Sequence, residues 1–233
     1  MPEVILSGPE GRLEGRYFRS DNPGAPVALV LHPHPRHGGT MNNKVVYNLF
    51  QGFARQGFSV LRINFRGVGK SQGKFDNGIG ELSDAATALD WLQMENENAR
   101  SFWISGFSFG AWIALQLLMR RPELEGFVAV SPPVNMYDFS FLAPCPSSGI
   151  FLQGDQDSIV PEDHVTKFHS KLKTQPNIQV DYRIIRGGDH FFRNTMDELN
   201  GFVDTYVTER LQNATMQGSS QRPDKKRRLP PVV

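Results

Sequence analysis

Short apolar runs recur along this chain at regular intervals, separated by longer stretches with helical spacing. The runs are 26–31 (PVALVL), 59–65 (SVLRINF), 101–105 (SFWIS), 126–130 (GFVAV), 149–152 (GIFL) and 179–185 (QVDYRII). They are rich in β-branched and aromatic residues, and several are apolar almost without interruption. That pattern suits strands buried on both faces of a parallel sheet. The stretches 43–56, 80–94, 109–120, 161–172 and 190–211 read as helices, the third stopping before Pro122. The start differs: 4–6 and 13–18 flank Gly8-Pro9-Glu10-Gly11, the pattern of an antiparallel hairpin. Together these signals predict one α/β domain with a mostly parallel, doubly wound sheet and an antiparallel N-terminal hairpin. A chain of 233 residues suits one such domain, which can bury an ample core without metal or disulfide staples.

Composition narrows the setting. Cys145 is the single cysteine, so no intrachain disulfide forms and a reducing, cytoplasmic compartment is expected. The first residues lack the basic and apolar regions of a secretory signal, and no run approaches the ~18 apolar residues of a spanning helix. No membrane partner is therefore expected. Arg222, Lys225, Lys226, Arg227 and Arg228 outweigh Asp224, giving the last 17 residues a net +4; against +1 for the whole chain, the remainder carries −3. A mildly acidic body gives no case for nucleic-acid binding. The expected organisation is a domain over 1–212 and a basic tail over 213–233, polar and disordered. A KKRR run can act as a localisation or polyanion signal, but a solvated tail is the plainer reading. Homo-oligomerisation is left open.

Gly106-Phe107-Ser108-Phe109-Gly110 is the segment with most chemical content. As a string, G-x-S-x-G arises by chance too often to mean much. Here it directly follows the strand SFWIS and precedes the apolar stretch FGAWIALQLLMR, the strand–turn–helix setting of a nucleophile elbow. Such a turn needs glycine where a Cβ would clash, and it aims a helix N-terminus at the serine oxygen. A serine hydroxyl needs a general base. Of the histidines after Ser108, His164 and His169 sit in a polar helical segment, whereas His190 lies in the loop Gly187-Gly188-Asp189-His190 after a strand. His190 is the expected base. The third member, an acid that orients the imidazole, is expected in Gly154-Asp155-Gln156-Asp157, with Asp157 preferred for its reach and Asp155 bracing the turn. Asp189 is too near His190 in sequence to bond its ring.

Acyl transfer also needs N–H donors for the developing oxyanion. The backbone N–H of Phe109 is one candidate. The other is expected in the loop His32-Pro33-His34-Pro35-Arg36-His37; prolines carry no N–H, which favours His34. His32, His34 and His37 raise a metal reading, but no cysteine or further acid accompanies them, and neither metal nor cofactor is expected. The GKS at Gly69-Lys70-Ser71 lacks the earlier glycine of a phosphate-binding loop, since position 64 is Asn; Arg66 and Ser71 are expected to brace loops instead.

Taken in order, VLHPHPRHGGTMNNK, INFRGVGKSQGKFD, SGFSFGAW, GDQDSIVP and GGDHFF resemble the α/β-hydrolase superfamily over residues 1–212. They look like its small bacterial branch of serine hydrolases, near the dienelactone-hydrolase and serine-aminopeptidase-like groups. The resemblance implies an α/β-hydrolase fold with Ser108 as nucleophile, Asp157 as acid and His190 as base. It also implies oxyanion N–H groups near His34 and at Phe109, although HPHP departs from the His-Gly of many relatives. The connection from Ser131 to Pro146 is too short for a large lid domain. Within it Met136, Tyr137, Phe139, Phe141 and Leu142 either wall a substrate pocket or pack on the core. An open site with a modest apolar wall favours a small soluble ester or thioester as the partner molecule, through an acyl-enzyme on Ser108, hence a carboxylesterase. Peptidase, dienelactone-type and perhydrolase chemistry stay open, as does a non-catalytic scaffold that binds a small ligand.

Overall fold

The computed structural model describes residues 2–220. Eight strands form one sheet: β1 (Glu3–Gly8), β2 (Gly11–Phe18), β3 (Val27–Leu31), β4 (Ser59–Ile63), β5 (Phe102–Phe107), β6 (Leu124–Val130), β7 (Ser148–Gly154) and β8 (Val180–Ile185). Their order is β1-β2-β4-β3-β5-β6-β7-β8. β1 pairs with β2, and β2 with β4, antiparallel; the remaining neighbours are parallel. The expected hairpin is thus the antiparallel margin of a parallel sheet.

Five helices cover the sheet: α1 (Lys44–Arg55), α2 (Ile79–Glu95), α3 (Phe109–Leu118), α4 (Glu162–Lys171) and α5 (Met196–Ser220). Strand alternation decides what each face buries. On β3, Leu29 and Leu31 join Ala85, Leu89, Ile113 and Leu117 of α2 and α3. Ala28 and Val30, pointing the other way, join Val46, Phe50, Leu199 and Val203 of α1 and α5. Every residue of β3 is fully buried, which is why its sequence is apolar without alternation. The helix α1 begins where Asn43 Oδ1 accepts the Val45 N–H at 2.9 Å.

The last helix corrects an expectation. It starts at Met196, not at 190, because Phe192 adopts a positive φ of 52° and the chain turns there before becoming helical. It also runs past position 212 to Ser220; the rest of the expected tail lies outside the described residues. Among the described residues no helix is long and apolar enough to cross a membrane.

Polar groups buried beneath the carboxyl ends of the strands tie the loops together. Arg66, just after β4, meets Asp84 of α2 through Nε at 3.0 Å and Nη2 at 2.8 Å, and its backbone N–H adds a third bond at 2.9 Å. Both side chains are buried. Glu14 of β2 accepts from Asn64 Nδ2 and from the Lys70 N–H, each at 2.8 Å. Ser71 Oγ donates to the Asn64 carbonyl at 2.7 Å and accepts the Glu14 N–H at 2.9 Å. The Gly-Lys-Ser loop is therefore bound to the sheet margin through its own polar atoms.

Removing one partner of a buried pair strands the other charge. Asp84→Ala is expected to lower unfolding stability by about 3–5 kcal/mol, and the double variant Arg66→Met/Asp84→Leu by much less. Urea unfolding midpoints of the three proteins check this.

Candidate active site

Ser108 stands between β5 and α3 with φ 53° and ψ −120°, outside the regions that a residue with a Cβ normally occupies. Such a conformation costs roughly 1–3 kcal/mol, so the surroundings must hold it. The Ser108 N–H donates to the Val130 carbonyl at 2.9 Å, and its own carbonyl accepts from the Ala111 N–H at 2.8 Å. Glycines make the turn sterically feasible. A Cβ on Gly106 would lie 2.2 Å from the Gly110 carbonyl oxygen, and one on Gly110 would lie 2.4 Å from that of Leu31. The helix start can thus press against the ends of both β3 and β5.

His190 lies in the turn after β8, and its Nδ1 is 2.7 Å from Asp157 Oδ2, with both side chains buried. Asp157 is held in turn. Its Oδ1 accepts the Ile159 and Val160 N–H groups at 2.9 and 2.8 Å, and Oδ2 also accepts from Gln153 Nε2 at 3.1 Å. Burial alone would raise its pKa, but the bond and charge of His190 and the two backbone N–H groups outweigh burial, and the carboxyl is held below its usual range. The carboxylate accepts the Nδ1–H, so that an uncharged ring would carry its lone pair on Nε2. The His190 ring packs on Phe107 and Phe191, with centroids 5.0 and 5.2 Å away.

The other acids nearby are engaged elsewhere. Asp155 Oδ1 accepts the Gly187 N–H at 2.7 Å, which locks the two loops against each other. Asp189 accepts the Arg193 N–H at 2.8 Å and pairs with that guanidinium. His169 bonds the Val180 carbonyl at 2.9 Å and His164 is exposed, both on α4.

The loop after β3 forms a 3₁₀ turn over Pro35–His37. Among the described residues neither the His34 N–H nor the Phe109 N–H is paired with an acceptor. The His34 ring lies 5.0 Å from that of Phe109 and stacks on His37 at 4.4 Å. His32 departs from its two neighbours: it is fully buried, its Nδ1 bonding the Pro33 carbonyl at 2.6 Å while Nε2 accepts the Phe65 N–H at 3.0 Å. Both ring nitrogens are committed to backbone, which leaves none for a metal. Asn64 links the next loop to this one by accepting the Met41 N–H at 2.8 Å.

Ser108, Phe109, His34 and His190 line one cavity of about 290 Å³. Met136 and Tyr137 also face it, but Phe139 and Phe141 do not. Phe139 is buried against Phe168 and Phe141, and Phe141 packs on the same core, so these two are corrected from pocket wall to core. Beside Pro33 and Pro133, the apolar wall includes Ile159 and Phe191, and Asn43 supplies a polar edge. Sequence reasoning missed the last three. Asn43 had a signal as an N-cap residue at the mouth of the loop; Ile159 and Phe191, each beside an expected site residue, had proximity alone. A larger cavity of about 380 Å³ between β8 and α5 contains none of the expected site residues.

A family model described as X-Pro dipeptidyl-peptidase (S15 family) matches residues 12–158. The chain is 59% identical over 211 residues, 89% of each protein, to an uncharacterized protein, RP471, of Rickettsia prowazekii (strain Madrid E). It is 56% identical to a protein of unknown function from Agrobacterium tumefaciens, a putative α/β hydrolase whose crystal structure superposes with a TM-score of 0.88 over 91% of this chain and 97% of that one. An α/β serine hydrolase without a lid from Xanthomonas campestris is 30% identical, with a TM-score of 0.81 over 89% and 94%. The expected α/β-hydrolase fold agrees with both structures, and the expected lack of a large lid domain agrees with the second. Here the connection after β6 holds only irregular chain and a 3₁₀ turn over Ser140–Leu142.

Burial pushes the His32 pKa down to about 4, against a backbone bond to Pro33 that favours the charged ring. In the unfolded chain it titrates near ~6.5. Between these values the unfolded state binds the extra proton, so stability is full above about pH 6.5 and declines as pH falls toward 4. The decline attributable to this ring is about 3 kcal/mol. Urea midpoints at pH 7 and 4.5 should therefore differ less in His32→Asn, whose side chain does not titrate, than in the parent protein.

Proposed function

The chain belongs to the X-Pro dipeptidyl-peptidase (S15) family within the α/β-hydrolase superfamily, and from that premise we propose that it hydrolyses small soluble esters or thioesters through an acyl-enzyme on Ser108. His190 Nε2 takes the Ser108 proton as Oγ attacks the carbonyl carbon. The oxyanion forms opposite the N–H groups of Phe109 and His34. His190 then gives the proton to the departing oxygen or sulfur as the bond to carbon breaks. Water, deprotonated by the same ring, attacks the acyl-enzyme and releases the acid and free Ser108. Asp157 keeps the imidazole in the required tautomer and balances the imidazolium as it forms.

The observation that carries this reading is the 2.7 Å bond from Asp157 to His190, a ring that lines the same cavity as a serine at a strained helix N-terminus. Phe109 and His34, whose N–H groups have no acceptor among the described residues, line the same space and would supply the donors that an oxyanion requires. The absence of a covering domain suits substrates that are free in solution. The family description favours a second reading, cleavage of a peptide from its N-terminus. A free N-terminus is an ammonium and would be received by a carboxylate, yet no Asp or Glu is among the residues lining the cavity. That chemistry weighs toward uncharged or anionic acyl compounds.

A fluorophosphonate probe should label the protein, and Ser108→Ala should abolish both the label and turnover, lowering kcat ~10⁴-fold or more. Retained turnover in that variant would remove Ser108 from the mechanism; absent labelling of the parent protein would favour a ligand-binding scaffold. Short-chain p-nitrophenyl esters and dipeptidyl anilides assayed side by side separate the esterase from the peptidase. Asp157→Asn should lower kcat by roughly 10⁴-fold with the fold intact. Asp155→Asn should instead cost about 1 kcal/mol of stability, through the weakened Gly187 bond, with a far smaller loss of rate.

A further inference from the structure

Beside the cavity that holds Ser108 lies a second one of about 430 Å³, lined by His34, Arg36, His37, Phe75, Asn77 and Tyr137. The two share His34, His37 and Tyr137, so together they form one continuous depression. Neither lining contains an Asp or Glu. Arg36 lies over the Phe75 ring, 5.9 Å from its centroid, and among the described residues its guanidinium has no carboxylate partner. Arg66 and Arg193, on neighbouring loops, are instead paired with Asp84 and Asp189. The loop bearing Arg36 is stiffened by Pro33 and Pro35, and its 3₁₀ turn is closed by the His37 and Gly39 N–H groups on the His34 carbonyl, each at 3.1 Å. An unneutralised cation on a stiffened loop, in a depression continuous with the one that Ser108 lines, is a recognition element for an anion.

The direction of the substrate follows from the proposed proton path. The departing oxygen must lie on the side of His190, which has to protonate it. The Arg36 cavity does not include His190; it lies on the side of His34. The acyl chain, not the leaving group, therefore points toward Arg36. We propose that Arg36, assisted by His37, binds a carboxylate at the far end of the acyl chain, so that the substrates are half-esters or half-thioesters of dicarboxylic acids. Arg36 is the one permanent cation among the lining residues, which matches a single negative charge better than a phosphate dianion. The His34 pKa is lowered, first by burial and then by the positive fields of His37 and Arg36, in keeping with a site that attracts anions. The inference rests on the acyl-enzyme reading for the orientation, but not for the existence of the anion site.

The test compares mono-p-nitrophenyl glutarate and adipate with the uncharged valerate and hexanoate esters. The parent protein should favour the charged esters in kcat/KM. Arg36→Gln should reduce the charged-to-uncharged ratio by roughly tenfold or more, Arg36→Lys should retain part of it, and 0.5 M NaCl, added as a screen, should compress it. A ratio that Arg36→Gln leaves unchanged overturns the proposal. Calorimetry on Ser108→Ala keeps the two readings apart. Monomethyl adipate should bind that variant more tightly than methyl hexanoate, and the advantage should vanish in Ser108→Ala/Arg36→Gln. If no ester is turned over but this binding pattern holds, the hydrolase reading falls and the anion site stands. If esters are turned over and the advantage is absent or indifferent to Arg36, the anion site falls alone.

Discussion

Ser108 occupies a backbone conformation that no residue with a side chain chooses freely, and much of the architecture serves to keep it there. Its N–H is held by the end of β6, its carbonyl by the first turn of α3, and its glycine neighbours let α3 touch β3. The strain of roughly 1–3 kcal/mol is spread over a core that is far larger. What results is a hydroxyl carried at the rim of the sheet without dependence on any flexible side chain. Its position is set by three parallel strands whose register is fixed by main-chain bonds.

Around that point the loops are fastened to one another by buried polar groups. Asn64 receives the N–H of Met41 and gives its own amide to Glu14, so one residue links the histidine-rich loop to the sheet margin. Arg66 and Asp84 fasten the adjoining loop to α2. On the far side Asp155 clasps Gly187, and Gly154 and Gly188 meet so closely that a Cβ on Gly154 would fall 2.1 Å from the Gly188 carbonyl oxygen. The Asp157–His190 bond therefore joins two loops already bound together. A hydrogen bond of this kind gains little when both partners must be immobilised for it, and more when backbone contacts have done so already.

The sheet, its antiparallel margin and the strand–turn–helix around Ser108 were legible in the sequence because each rests on local pattern: apolar runs of strand length, glycines at a turn, apolar helix faces. Asp157 was preferred over Asp155 for its reach along the loop, and the structure gives the two acids different partners, the His190 ring and the Gly187 N–H. Other features could not be read locally. Phe139 and Phe141 lie at a single 3₁₀ turn, too short for a periodicity that tells inward from outward, and the side that Phe139 took depended on where α4 brought Phe168. The helix expected from His190 was delayed by a positive φ at Phe192, a position where the residue type gives no warning. Arg66 was expected to brace a loop, but its partner Asp84, 18 residues along, reads in the sequence as an ordinary surface charge.

The contact of Gly110 with the Leu31 carbonyl carries a consequence for how such a protein can change. It fixes the spacing between the serine turn and the neighbouring donor loop through main chain alone, with no side chain in between. Met136, Ile159, Phe191 and Arg36 all lie outside that contact, on connections that can be exchanged one at a time. The reactive geometry and the substrate preference are thus separable inheritances. If the proposed chemistry is right, a population of variants could drift from one acyl group to another by altering the rim, while the serine turn stays where two glycines and a carbonyl oxygen have put it.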